Sequence, residues 1–152
     1  MSEYNVYLRV PEYLADWITN TFGNPVILVK DGPESRLLNE QICKTPLNKK
    51  PDTGEGSNIS IPIPFFKGKH PETYNYIHKS GKKALMESFY TLLRKNLMEE
   101  VGSLENGNCK MATLIYAFME KHGIEERHWY TVSQIYYRTR KKYFLDNGVK
   151  IR

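Results

Sequence analysis

The sequence predicts an α+β fold: a small N-terminal sheet of two or three strands packed with helices, followed by a helical C-terminal half with a helix-turn-helix-like pair. Three observations predict it. Short runs of strand-favouring residues fall within the first 64 positions, and apolar residues from position 71 onward recur at helical three-and-four spacing. Residues 44–58 concentrate Pro, Lys, Asp, Gly and Ser without any period. At 152 residues the chain suits one domain, 1–152, which can bury roughly two-thirds of its unfolded surface.

Taken in order, Asn5 to Val10 alternates weakly and reads as a strand, and Pro11 suits a helix start. Tyr13, Leu14, Trp17, Ile18, Thr21 and Phe22 then form a helical face that Gly23 closes. Val26 to Val29 is a continuous apolar run between Asn24-Pro25 and Asp31-Gly32, expected to be a buried strand parallel to the first in a βαβ-like unit. A short helix is expected over 34–42, and 44–58 is expected to be a flexible loop. Ile59 to Pro64 alternates, but Pro62 and Pro64 each lack a donor, which restricts the segment to a sheet edge.

Tyr74, Ile77 and His78 suggest a short helix, and Leu85, Met86, Phe89, Leu92, Leu93 and Leu97 a long one over 82–101. After a linker, Met111, Leu114, Ile115, Phe118 and Met119 mark a helix over 110–122 that ends at Gly123. Glu125 and Glu126 favour the start of a last helix reaching about Phe144, because acidic groups complement the N-terminal dipole.

Charge is unevenly spread. Residues 1–107 carry 13 basic and 13 acidic side chains, whereas 108–152 carry 9 and 4 and so hold the whole net charge of +5. No run approaches the roughly 18 apolar residues of a membrane span. The N-terminus shows no basic segment followed by an apolar one, so a cytoplasmic location without a signal peptide is expected. Cys43 and Cys109 lack CxxC spacing and are expected to be reduced, buried thiols.

Catalytic signatures are poor. His70, His78, His122 and His128 follow no metal-ligand spacing, and there is neither a phosphate loop nor a GxSxG turn. Gly54-Glu55-Gly56 is simply flexible. Tyr136, Tyr137, Arg138, Arg140 and His128 match the residue types of a tyrosine strand transferase, but groups spaced around one helix cannot converge on a phosphate. The paired carboxylates Glu99-Glu100 and Glu125-Glu126 project about 100° apart and suit helix ends. No catalytic residue, metal or cofactor is expected, and the chain is read as non-enzymatic.

The informative stretch is Met111 to Tyr143, which resembles a helix-turn-helix in outline: an apolar-faced helix, a Gly123-Ile124 turn, and a basic, aromatic helix. It departs from that motif at Met119, where close helix packing usually requires a small side chain. Trp129, Val132, Tyr136, Thr139 and Tyr143 are expected to look inward. The remaining surface would carry Gln134, Tyr137, Arg138, Arg140, Lys141 and Lys142. Arg138, Arg140, Lys141 and Lys142 would hold phosphates, while Gln134 and Tyr137 would sample base edges, duplex DNA being the favoured partner. A second basic group, Lys67, Lys69, Lys79, Lys82 and Lys83, flanks Phe65-Phe66 and the start of the long helix and could extend a binding surface; Phe65, Phe66, Tyr74 and Tyr76 are expected in the core rather than stacked on unpaired bases. The competing reading is a protein-interaction module whose last helix offers Tyr and Arg to another protein or a second copy.

Overall fold

The computed structural model describes residues 4–50, 52–104, 107 and 109–146, leaving aside the side chains at 144 and 146. It divides into two compact units, the first ending at Phe89 and the second beginning at Tyr90. The fold is α+β, with five α-helices and two small antiparallel sheets among the described residues.

In the first unit, β1 (Asn5–Leu8) pairs antiparallel with β3 (Ile59–Pro62), opposing Val6 to Ile61 and Leu8 to Ile59. All four are buried. Directly opposed β-branched and aliphatic residues pack on one face of a pleated pair, so this register buries one side of the sheet. Asn58 closes its end: the Val10 amide donates to Asn58 Oδ1 at 3.0 Å, and Asn58 Nδ2 donates back to the Val10 carbonyl at 2.7 Å. Pro62 is tolerated because a two-stranded sheet has only edges. Helix α1 (Glu12–Phe22) buries Leu14, Trp17 and Ile18, and Phe22 stands edge-on between Trp17 and Phe89 at 6.2 and 5.6 Å.

Two sequence expectations fail in this unit. Val26 to Val29 is not a strand: Val26 alone is buried and donates to the Ser60 carbonyl, whereas Ile27 and Val29 are 50% and 65% exposed. The Ile27 amide turns back to the Phe22 carbonyl, so no ladder forms and no βαβ unit exists. Tyr74 to His78 is not a helix either. The amides of Thr73 and Tyr74 both close on the His70 carbonyl in one turn, after which β4 (Tyr74–Tyr76) pairs antiparallel with β2 (Cys43–Lys44). Alternating Tyr-Asn-Tyr has the strand character that the Tyr74–Ile77 spacing obscured.

Helix α2 (Pro33–Gln41) begins with Pro at its first position and buries Glu34, which accepts a hydrogen bond from Ser88 Oγ at 3.2 Å. The described residues of 45–58 contain no regular element, while Lys44 belongs to β2. Helix α3 (Lys79–Gly102) starts earlier than its apolar stripe, and the unit boundary falls inside it. The thiols are free, but Cys43 is half-buried and donates to the Tyr76 carbonyl while Cys109 is exposed, which corrects the expectation that both are buried.

The second unit comprises α3 from Tyr90 onward, α4 (Met111–Lys121) and α5 (Trp129–Asp146). Leu93, Leu97 and Val101 recur every four residues and are buried, as are Leu114, Ile115, Phe118 and Met119 on α4 and Val132, Ile135 and Tyr136 on α5. These are the apolar stripes that helical periodicity predicts. Glu100 joins α3 to the end of α4 through Lys121 and His122, both at 2.8 Å. Gly123 then takes φ +69°, and the Ile124 amide returns to the Met119 carbonyl at 2.9 Å. A left-handed residue with such a returning bond ends a helix and satisfies its last carbonyls. Ile124 is buried, and a 3-10 turn, Glu126–His128, leads into α5.

Candidate nucleic-acid interface

Successive side chains on a helix are about 100° apart, so the buried positions of α5 fix where the others point. Val132, Ile135 and Tyr136 define the inner side, and half-buried Thr139 continues it. Tyr143 does not. It is 50% exposed, so the inward stripe expected from Trp129 to Tyr143 ends about one turn early. Opposite the core lie Tyr130, Gln134, Tyr137, Arg138 and Lys141.

The sequence-predicted residues do not form one patch. Arg138 and Lys142 are exposed and share a flank with Thr139 and Tyr143. Arg140 is half-buried, and two residues along a helix place it about 200° around from Arg138, on the other flank. Lys141 is exposed on the outer face between them. Gln134 donates to the Tyr130 hydroxyl at 2.7 Å, and Tyr137, half-exposed, stands edge-on to Tyr136 at 5.4 Å.

The flank of α5 that carries Arg138 and Lys142 faces the second-unit part of α3 across a groove of about 390 Å³. From α3 come Tyr90, Thr91, Arg94 and Lys95, so among the described residues four cationic side chains and no carboxylate line the groove. Arg94 is held in place: its guanidinium carbon lies 4.6 Å from the Tyr90 ring centre, and Nη2 donates to Thr91 Oγ1 at 3.1 Å. A guanidinium seated on an aromatic face is oriented while its remaining donors stay available. Neither Arg138 nor Lys142 enters a salt bridge among the described residues. Like charges gathered in a concave, carboxylate-free groove attract anions more strongly than the same charges scattered on a convex face.

Arg94 and Lys95 were legible only as polar positions off the apolar stripe. Their signal lay in the four-residue spacing of Tyr90 and Arg94, which lets a ring and a guanidinium meet on one helix face. What sequence could not supply was the pairing of that face with α5.

The second basic group is partly neutralised. Lys69 Nζ donates to the Asn39 carbonyl, and Lys82 pairs with Asp52 at 2.5 Å, whereas Lys67, Lys79 and Lys83 are exposed. Its aromatics lie outside the buried core, contrary to expectation. Phe65 is 68% exposed, and Phe66, Tyr74 and Tyr76 are half-buried. Tyr74 lies under Lys44 Nζ at 5.7 Å, and Tyr76 packs edge-on to His78 at 5.0 Å. Strand β4 belongs to a two-stranded sheet too small to bury both of its faces, which leaves these rings at its surface.

Among the described residues no three His, Cys, Asp or Glu side chains gather into a metal-binding group, and no helix is long and apolar enough to cross a membrane. No protein-family model, curated protein or solved structure matches this chain.

Proposed function

We propose that the protein binds nucleic acid, duplex DNA in preference, through the outer face of α5 and the groove beside it. The observation that carries this reading is the convergence of Arg94, Lys95, Arg138 and Lys142 on one groove, with no carboxylate among its described lining residues. Those four cations hold backbone phosphates and set the register of the complex. Half-buried Gln134 and exposed Tyr137, on the adjoining outer side of α5, reach base edges, and exposed Lys141 adds a peripheral phosphate contact. Arg140, turned to the other flank, contributes least. Chemistry on the substrate is no part of this reading, nor is a cofactor.

Each cation that neutralises a phosphate releases counterion. Four contacts imply a loss of affinity of about 100-fold between about 50 and about 200 mM salt. The test is fluorescence anisotropy of a labelled generic duplex at those two salt concentrations. The double variant Arg138→Ala/Lys142→Ala should bind at least about tenfold more weakly at the lower salt, and Arg140→Ala should bind nearly as the native protein does. Equal losses in both variants would remove the groove from the account.

One observation favours a second reading. Tyr116 stacks on Trp129 at 5.3 Å and 19°, and Tyr116, Tyr130 and Tyr137 are each exposed by 42% or more. Rigid, half-exposed aromatics are common anchors of protein interfaces. On that reading Tyr130→Ala or Tyr137→Ala abolishes partner binding with little salt dependence, and duplex DNA does not bind.

A further inference from the structure

The first unit contains a second concentration of positive charge, unrelated to α5. A cavity of about 310 Å³ is lined by Lys49 and Lys50 from the segment before β3 and by Lys79 and Lys82 from the first turn of α3. Asp52 is the sole carboxylate on its wall among the described residues, so four ammonium groups there face one described negative charge. Asn5 and Val6 of β1 and Asn75, Tyr76 and Ile77 from β4 and the residue after it make up the rest of the described wall.

The chain's own carboxylate shows what this cavity stabilises. Asp52 Oδ2 receives Lys82 Nζ at 2.5 Å, and Oδ1 receives the Gly54 amide at 2.9 Å. Burial by itself would raise the Asp52 pKa, yet the bonds from Lys82 and Gly54 and the charge of Lys82 outweigh it and hold the carboxyl below 3.8. One monovalent carboxylate leaves most of the lysine charge unmatched. A compact anion bearing several negative charges would match it, because oxygens spread over two phosphoryl groups can meet several ammonium groups at once.

We infer that the Lys49, Lys50, Lys79 and Lys82 cavity is a polyphosphate site, taking the diphosphate group of a small molecule, with Asp52 as an internal competitor for Lys82. The site is independent of the α5 groove, because none of its lining residues belongs to the second unit. A diphosphate entering the cavity takes up Lys49, Lys50 and Lys79 and shares or displaces the Asp52 contact on Lys82. The affinity is therefore set by two opposed features: the lysines that attract the ligand and the aspartate that repels it.

Inorganic pyrophosphate titrated calorimetrically into the full chain tests this, with sulfate at equal ionic strength as the control. Native protein should bind pyrophosphate at least tenfold more tightly than sulfate. Lys49→Ala/Lys79→Ala should lose tenfold or more, and Asp52→Asn should gain severalfold because the repelling charge is gone while shape is kept. The Asp52→Asn gain cannot be mimicked by loss of fold. Pyrophosphate binding no tighter than sulfate, or weakened by Asp52→Asn, overturns the inference. Equal affinity for ADP and pyrophosphate would assign the phosphates alone to the site; tighter ADP binding would place its organic part against Tyr76 as well. Arg138→Ala/Lys142→Ala should leave pyrophosphate affinity unchanged, so failure of the duplex-binding reading leaves this site untouched.

Discussion

Glu100 accepts hydrogen bonds from Lys121 and His122 at 2.8 Å each, with its side chain 28% exposed. Burial alone would raise its pKa, but these bonds and the two neighbouring charges outweigh it and hold the carboxyl below 4.5. A carboxyl whose folded pKa is depressed adds stability that is fully present above its unfolded value and disappears as pH falls through the folded one. Glu100→Gln should therefore be less stable than the native protein at neutral pH, and urea denaturation should show the difference closing as pH falls below 4.5. A difference that persists undiminished in acid would mean that Glu100 acts through packing alone. Gly54 is a second residue with a specific demand on it, since its φ is +78° and an added Cβ would sit 2.7 Å from the Tyr7 ring. Gly54→Ala should cost about 1–3 kcal/mol in the same measurement, from backbone strain and from displacement of the Tyr7 ring on β1. Neither demand was readable beforehand: Gly54-Glu55-Gly56 looked merely flexible, because the ring that crowds it lies 47 positions away in sequence.

At the scale of elements, the helices were legible and the sheets were only half so. Buried side chains every three or four residues on α1, α3, α4 and α5 make a periodic signal that needs no knowledge of partners. Strand pairing has no such local signature. β1 pairs with β3 across some fifty residues, and β2 with β4 across about thirty, so a nearer apolar run, Val26 to Val29, drew the sheet toward a parallel arrangement it does not have. The same limit applied to the site: Arg138 and Lys142 were found on α5 from its own sequence, whereas Arg94 and Lys95 required knowing that α3 forms the opposite wall. The α4–α5 connection turns on one left-handed residue. Gly123 at φ +69° should resist replacement, and Gly123→Ala should cost about 1 kcal/mol or more by thermal unfolding, because L-residues disfavour the left-handed region. Asn at the same position should recover part of that loss, since its short polar side chain tolerates this conformation better. If Ala and Asn were equally harmless, the turn would not be constraining the two helices.

For the molecule as a whole, charge is what connects sequence to the proposed activity. The net +5 resides in residues 108–152, and the structure sorts it unequally: Arg138 and Lys142 line the groove with Arg94 and Lys95, Lys141 stands on the outer face, and Arg140 turns to the other flank. In the proposed function the four groove cations act together on nucleic-acid phosphates. The most direct measurement of that joint action is the slope of log affinity against log salt concentration for a labelled duplex, compared between the native protein and Arg94→Ala/Lys95→Ala/Arg138→Ala/Lys142→Ala, with circular dichroism confirming that the variant keeps its helices. The native protein should bind with a steep negative slope, and the variant's slope should be shallower by about 3–4. Undetectable binding by the native protein at low salt, or an unchanged slope in the folded variant, would contradict the proposed function.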